Sequence, residues 1–379
     1  MKKISYREFR FLIFFIPIFV LKLMNITADN KILVIVSVGC FLSEMFGFVV
    51  EKMPKVQLSL FFITFLYTAL LVITSGKQGA FFSIVIILGL YGINPYKHVY
   101  KYCWWIGVVF VIISCYIERT GSYGMRYING TWTSMYKRSN ILYISFFAVL
   151  CLYLYLQKEC KVRANKLVGI WLLGYAMYRY TGSRTGFLVL NILVILLIAF
   201  KSKLFQKTCI VKIACVNSPI IAFILSYFMA FYYGKIQILS IVNSTLQGRL
   251  ELGQRYLNRY SLKLFGQHIY ENFSADDFWC LDCAYLDMLI CYGIIFAIIW
   301  VLLTRNVLKW LYEEKRYIEV ATIVAYSVYG ISETFLSNGF LNVSIFLYAE
   351  YIFSHVLKQG RGNVNGKSKN NCDVFTTIP

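Results

Sequence analysis

The chain alternates long apolar runs with short polar segments, most of which are basic. Windows of about 20 residues predict about twelve membrane-spanning helices. The predicted spans lie near residues 10–26, 31–50, 56–74, 78–94, 99–117, 139–157, 166–181, 185–200, 212–233, 283–303, 318–337 and 339–357. The runs lack the strict alternation of membrane strands, so the predicted fold class is all-α. A first span kept in the mature protein is favoured over a signal peptide, because no small-residue cleavage site follows it.

Composition supports a membrane protein. Hydrophobic residues make up 59% of the chain and charged residues 15%, whereas soluble domains carry roughly 25% charged residues. The formal net charge is +20, but the basic residues form short clusters between apolar runs, which disfavours a nucleic-acid partner. The eleven cysteines are scattered mostly through apolar runs, and the close pair Cys280 and Cys283 has no second pair beside it. The sequence therefore indicates no disulfide framework, metal site or cofactor.

The positions of the basic clusters predict the orientation. Every second loop carries lysine and arginine, as cytoplasmic loops do. These clusters are Lys2/Lys3/Arg7/Arg10, Lys52/Lys55, Lys97/Lys101, Lys158/Lys161/Arg163/Lys166, Lys201/Lys203/Lys207 and Arg305/Lys309/Lys315/Arg316. Both termini are then cytoplasmic. The membrane domain covers residues 1–357, the long outward loops are 118–138 and 234–282, and the glycine- and asparagine-rich tail 358–379 is expected to be disordered.

Arginines on the predicted outer side are the first functional signal. They include Arg119, Arg126, Arg184, Arg249 and Arg255, although outward loops are usually poor in such residues. A guanidinium binds phosphate oxygens in a bidentate manner, which suits a lipid-linked phosphate or diphosphate. Contact with lipid headgroups is the alternative explanation. Arg184 stands out because it lies in the turn Thr181-Gly182-Ser183-Arg184-Thr185-Gly186 between two apolar spans.

These motifs resemble the Wzy-type polysaccharide polymerases and the related O-antigen ligases. The Ser-Arg-Thr-Gly turn precedes a large outward loop that holds Gly248-Arg249 and Leu264-Phe265-Gly266. Asp282-x-x-Tyr285-Leu286 with Gly293 is similar to the family's entry to the next span. Arg119 with Gly130 and Arg255 with Gly266 fit an arginine, ten residues, then glycine, a pattern of one branch of polymerases. Where ligases carry histidine, this chain has Asp282.

The resemblance implies transfer of a growing glycan from undecaprenyl diphosphate to a new lipid-linked repeat unit. Arg184, Arg249 and Arg255, with Arg119 and Arg126, are then candidates to bind the diphosphate or glycan. Asp282, Glu333 and His268 are candidates for the base that activates the acceptor hydroxyl. Asp282 leads, with an N-cap as its alternative role.

The resemblance also implies a bacterial cytoplasmic membrane and, as partners, membrane lipid and the pathway's chain-length regulator and flippase. Two other functions stay open. One is a ligase-like glycan transferase, and the other is a non-enzymatic transporter of lipid-linked oligosaccharide. A transporter is expected to hold its cations within the spans, lining a cavity.

Overall fold

A computed structural model describes residues 4–23, 39, 55–96, 98–120, 125–128, 131–134, 139–157, 162–273 and 278–356. Almost all of the predicted span 31–50 and the whole predicted tail 358–379 lie outside the described residues. The side chains of Arg119 and Arg126 also lie outside them. Arg119 and Arg126 are therefore placed by their backbone alone.

The described chain is predominantly helical, which confirms the predicted class in outline. The helices are α1 (Tyr6–Leu23), α2 (Lys55–Ser75), α3 (Gly79–Gly89), α4 (Val99–Thr120), α5 (Ser139–Tyr155), α6 (Ala164–Thr181), α7 (Arg184–Ala199), α8 (Lys203–Lys207), α9 (Cys209–Val216), α10 (Ser218–Tyr232), α11 (Gln237–Thr245), α12 (Arg249–Arg259), α13 (Ala284–Asp287), α14 (Ile294–Glu313), α15 (Tyr317–Tyr329) and α16 (Ile345–Tyr351). Two π-helical turns, Met288–Tyr292 and Ile352–Val356, continue α13 and α16.

Four short strands depart from a purely helical prediction. Strands β1 (Met125–Ile128) and β2 (Thr131–Ser134) form an antiparallel pair in the first of the two loops predicted to face outward. Strands β3 (Asn272–Phe273) and β4 (Phe278–Trp279) form a hairpin in the large loop. Both pairs lie in segments without a long apolar run, where periodicity gives no helix signal.

Two of the described helices, or three spans if a bent pair counts as one, are long and apolar enough to cross a membrane. Among the described residues, Val99–Tyr116 and Ile294–Glu313 meet this criterion singly, and α9 with α10 meets it as a bent pair. A further six apolar helices are 10–17 residues long, whereas a straight crossing of about 30 Å needs about 20 residues. The described helices are therefore compatible with a membrane protein.

The bend between α9 and α10 has a local cause. The two helices meet at 60°, next to Asn217 and Pro219. Proline has no N–H to donate and its ring excludes the preceding helical turn, so a helix breaks there. The Asn217 side-chain amide donates to the Ile213 carbonyl at 2.9 Å, and the Asn217 backbone N–H donates to the same carbonyl at 3.0 Å.

The predicted span 318–337 ends early. Helix α15 stops at Tyr329, and residues 330–344 form a series of turns that are largely buried. Glycine, serine and asparagine in this segment favour turns over a continuous helix. Its backbone groups find other partners, since the Asn342 side chain donates to the Leu336 carbonyl at 2.9 Å and the Ser83 hydroxyl donates to the Ser337 carbonyl at 2.6 Å. Glu333 therefore lies beyond the helix and outside a regular span.

Helix α15 is at the centre of the bundle. It packs against α5, α7, α9, α10 and α14. Tyr326 and Tyr329 are fully buried on this helix, and the Phe147 ring of α5 makes edge contacts with both at 5.2 and 5.7 Å between centroids. The turns that follow α15 therefore begin at a helix that is fixed by five neighbouring helices.

The large loop docks on the bundle by direct backbone contact. The Gln267 N–H donates to the Cys291 carbonyl at 3.0 Å. Nearby, Gly266 and Gly293 adopt φ angles of 78° and 93°. A Cβ on Gly293 would lie 2.3 Å from the Gly266 nitrogen. Only glycine provides both the left-handed conformation and the space for this crossing.

Polar contacts gather at two ends of the bundle. At one end, which we call the Arg316 end, Arg316 pairs with Glu350 at 2.8 Å and with Glu319 at 3.1 Å. At the other, the Glu333 end, lie the turns at residues 76–78 and 182–183, the large loop, and residues 330–344.

Replacing Gly293 tests the loop crossing. We expect Gly293→Ala to lower the free energy of unfolding by about 3 kcal/mol, because strain at positive φ adds to a backbone clash. The matched control is Gly234→Ala, at φ 79° with nothing within 4 Å of an added Cβ, which should cost only about 1 kcal/mol. Thermal unfolding of the detergent-purified protein measures both. Equal losses would contradict the docking role of Gly293.

Candidate active site

A buried ion pair lies at the centre of the Glu333 end. The Arg249 guanidinium donates from Nη2 to Glu333 Oε1 at 2.7 Å, and both side chains are almost fully buried. Asp282 Oδ2 lies 3.9 Å from Arg249 Nε, and 29% of the Asp282 side chain is exposed. One guanidinium therefore faces two carboxylates, of which one is buried and the other reaches the surface.

Arg249 is placed by the turn between α11 and α12. Gln247 and Gly248 adopt φ angles of 57° and 84°, which reverse the chain immediately before Arg249. The Asn243 side-chain oxygen accepts the N–H groups of Leu250 and Glu251 at 2.9 and 3.2 Å. Asn243 thus caps α12 from a distance and fixes the turn that carries Arg249.

Glu333 is placed by the turns after α15. The Gly330 carbonyl accepts the Ala284 N–H at 2.8 Å, which ties the segment that carries Asp282 to the segment that carries Glu333. Burial raises the pKa of the Glu333 carboxyl to about 7, although Arg249 opposes this shift. A carboxyl with that pKa can both accept and release a proton near neutrality.

Hydroxyl groups complete the cluster. Thr185, the second residue of α7, donates to Glu333 Oε1 at 3.4 Å. The Tyr329 side chain interacts with both Glu333 and Arg249. Arg249 Nη1 is buried and makes no hydrogen bond to a described residue, and the buried Ser183 and Tyr329 hydroxyls lie close to each other. Because buried polar groups are normally paired, Arg249 Nη1 is suited to contact a polar ligand.

The structure brings together some of the predicted site residues. Arg249, Asp282 and Glu333 meet in one cluster, and Arg184 begins α7 one residue before Thr185. Arg184 is exposed and makes no ion pair with a described residue. It therefore lies beside the cluster in the chain, with its guanidinium on the surface.

Two other candidates lie elsewhere. Arg255 is exposed on α12 and pairs with Glu251 at 2.5 Å. His268 is exposed in the large loop and lies against Gly76, where an added Cβ would be 2.2 Å from His268 Nε2. No described contact joins His268 to the pair of Arg249 and Glu333.

The capping role weighed for Asp282 is not seen. Cys283 is the N-cap residue of α13, and no side chain caps that helix. The Asp282 Oδ1 atom instead accepts the Cys280 thiol at 3.2 Å. Asp282 is thus oriented by a neighbouring side chain and by Arg249.

A second charged cluster also lies at the Glu333 end of the bundle. Lys77, in the turn between α2 and α3, donates to Asp287 at 2.7 Å and to Glu271 at 3.3 Å. Burial opposes the charge of Lys77, but the two carboxylates raise its pKa well above the usual value. The cluster links the α2–α3 turn, the large loop and the buried end of α13. Among the described residues, no group of three histidine, cysteine, aspartate or glutamate side chains is arranged to hold a metal ion.

Sequence reasoning missed several positioning residues. Asn243 and Tyr329 were not singled out, because a helix cap supplied from six residues upstream and a tyrosine in an apolar span have no local signature. Thr185 lies in the same turn as Arg184, but the sequence alone indicates no role for it. The only signal in the sequence for a role of Thr185 is that it directly follows Arg184 at the start of a predicted span.

Breaking the buried pair tests its importance for folding. Arg249→Leu leaves Glu333 buried without its cation, and we expect a loss of about 3 kcal/mol in the free energy of unfolding. Adding Glu333→Gln removes the uncompensated charge and should restore most of that loss. The control Arg255→Leu breaks an exposed pair and should cost at most about 1 kcal/mol. Thermal unfolding of the purified variants measures all three, and additive losses in the double variant would contradict the pairing.

Five of the residues behind the polymerase resemblance have roles in the loop crossing, the turn before α12 or the charged cluster. Gly266 and Gly293 form the backbone crossing of the large loop, and Gly248 forms the turn before α12. Arg249 and Asp282 belong to the charged cluster. No protein-family model, curated protein or solved structure matches the chain.

Proposed function

We propose that this chain is a polysaccharide polymerase that joins lipid-diphosphate-linked repeat units on the outer face of a bacterial cytoplasmic membrane. The observation that carries the proposal is the cluster of Arg249, Glu333, Asp282 and Thr185, which unites separate parts of the predicted outer side. A cation with an unpaired Nη1, two carboxylates and several hydroxyls in one place provide the groups that glycosyl transfer needs.

Glu333 is the proposed base. The bond between the anomeric carbon and the diphosphate oxygen breaks, and a new bond forms between that carbon and the acceptor hydroxyl oxygen. The hydroxyl proton moves to Glu333, and the lipid diphosphate leaves with the bonding electrons. Arg249 orients Glu333 through Nη2 and offers Nη1 to substrate oxygens, while the exposed Arg184 provides charge for the departing diphosphate.

Glu333 and Asp282 differ in burial, and this difference changes the role that we propose for each carboxylate. Glu333 is buried and has a pKa near neutrality, whereas Asp282 is partly exposed. A buried base is shielded from water and matched to its task, so Glu333 takes the place of Asp282 as the leading candidate. Asp282 is then a second carboxylate that helps to hold Arg249.

The placement of loops supports the membrane orientation that we propose. Segments expected inside contact one another, as in the contact of Arg316 with Tyr96 and the contact of His98 with Glu8 at 3.2 Å. Loops expected outside meet in the cluster around Glu333. About twelve crossings, with both termini in the cytoplasm, fit this division. Membrane lipid, a chain-length regulator and a flippase are the proposed partners.

The alternatives are a ligase-like transferase and a transporter. A ligase-like reaction would draw on His268, which lies against Gly76 and has no described contact with Glu333. A transporter would be expected to line its central cavity with cations, whereas Arg249, a buried cation of the described part of the chain, lies at one end and is held by Glu333. Both observations favour the polymerase.

Two isosteric substitutions test the assignment of the base. Glu333→Gln keeps the shape and removes proton acceptance, so we expect polymerisation to fall by roughly 10²- to 10⁴-fold. Asp282→Asn should have a smaller effect. The measurement is the length distribution of surface polysaccharide in cells with wild-type levels of each variant, where single repeat units should replace long polymer. Normal polymer with Glu333→Gln would remove this residue from the mechanism.

Cysteine labelling tests the orientation. In a background otherwise free of cysteine, Ser240→Cys on the exposed surface of α11 should react with an impermeant thiol reagent added to intact cells. Cys209, a naturally exposed cysteine near the Arg316 end, is the matched control and should react only after lysis. The reverse pattern would overturn the proposed orientation.

A further inference from the structure

A cluster of arginine and aromatic side chains lies on the outer face of α12. We call it the Arg259 patch, and it consists of Arg255, Arg259, Tyr260, Tyr270 and Trp279. The Arg259 guanidinium lies 5.0 Å from the centroid of the Trp279 ring, 5.6 Å from that of Tyr270 and 5.8 Å from that of Tyr260. The Arg255 guanidinium also lies near Trp279, 5.8 Å from the centroid of its ring.

The rings of the patch are fixed from beneath. Tyr256 is fully buried, stacks on Tyr260 at 5.8 Å and makes an edge contact with Trp279 at 5.7 Å. Its hydroxyl donates to the Tyr270 carbonyl at 2.8 Å, and the Tyr270 N–H donates to the Tyr260 hydroxyl at 2.8 Å. A surface fixed in this way loses little conformational entropy when a ligand binds.

The patch carries positive charge that its own side chains do not neutralise. Arg255 is paired with Glu251, but Arg259 makes cation–π contacts and no ion pair with a described residue. A guanidinium that packs its flat face on aromatic rings keeps its N–H edge for a bidentate contact. A carboxylate matches that edge in both charge and geometry.

The helix connects this patch to the candidate active site. Arg249 is buried at the start of α12, and the exposed residues Arg255 and Arg259 follow about 120° and 80° around the helix from it. With a rise of 1.5 Å per residue, they lie about 9 and 15 Å along the axis from Arg249. An extended ligand that leaves the cluster at Glu333 can therefore run along α12 to the patch.

We propose that the Arg259 patch binds a carboxylate-bearing sugar, so that the glycan handled by this chain is acidic. The inference rests on the proposed function. The aromatic rings contact the apolar faces of the sugars, and Arg259 pairs with the carboxylate. The patch is thus a specificity site separate from the residues that carry the reaction.

A lipid headgroup is the competing ligand, and a nearby residue provides the comparison. The Lys235 ammonium lies 4.8 Å from the Phe231 ring centroid and 5.7 Å from that of Tyr232. Both rings are exposed at the end of α10, as expected of a membrane-surface anchor. The Arg259 patch differs because a buried tyrosine supports its rings and a hairpin of the large loop forms one side.

Binding of short acidic and neutral sugars tests the proposal. The full-length protein in phosphatidylcholine nanodiscs should bind trigalacturonate at least about tenfold more tightly than maltotriose, because a charge-assisted contact is lost with the neutral sugar. Arg259→Gln should remove this preference, and the control Lys235→Gln should keep it. Isothermal titration calorimetry measures the affinities.

Several results would overturn the proposal. These are equal affinities for the two sugars, an unchanged preference in Arg259→Gln, and an equal loss of preference in Lys235→Gln. A fourth is a preference that disappears when phosphatidylglycerol is added to the nanodiscs, which would identify lipid as the ligand. The readout needs no polymerisation. A protein that binds both sugars equally but loses polymer in Glu333→Gln refutes the patch alone, whereas an acid preference with normal polymer in Glu333→Gln refutes the proposed mechanism alone.

Discussion

The ion pair between Arg249 and Glu333 constrains the rest of the Glu333 end. A buried guanidinium at the first residue of a helix is unfavourable, because the positive end of the helix dipole adds to its own charge. Glu333, with Asp282 nearby, compensates that charge at 2.7 and 3.9 Å. Separation of the pair would leave a charge buried without compensation, which costs about 3–5 kcal/mol. The turns that carry these residues are therefore held together by electrostatics as well as by packing.

The backbone around the pair is built to keep this geometry. Asn243 fixes the turn before Arg249, and the hydrogen bond from Ala284 to Gly330 joins the other two segments. The glycine crossing at Gly266 and Gly293 holds the large loop down on the bundle. Preorganised groups of this kind stabilise developing charge without reorganisation during the reaction. The proposed chemistry thus depends on positions fixed in the folded protein before substrate binds.

Helix α12 of the large loop carries a buried charged residue as well as an exposed arginine and aromatic surface. The buried face of α12 carries Arg249 and the tightly packed Gly253, where an added Cβ would lie 2.9 Å from Leu286. Its exposed face carries Arg255 and Arg259 over aromatic rings. One helix therefore links the proposed reaction centre to a surface suited to recognition, and changes on the two faces should affect different steps.

The sequence by itself determined the helical class and the approximate places of most helices, because hydropathy acts over short stretches of chain. It also singled out Arg249, Asp282 and Glu333. Only the tertiary structure decided that these three meet, that α15 ends before Glu333, and that Arg255 and His268 lie apart from the pair. Such facts depend on contacts between residues as far apart as 249 and 333, and local periodicity carries no information about which distant side chains become neighbours.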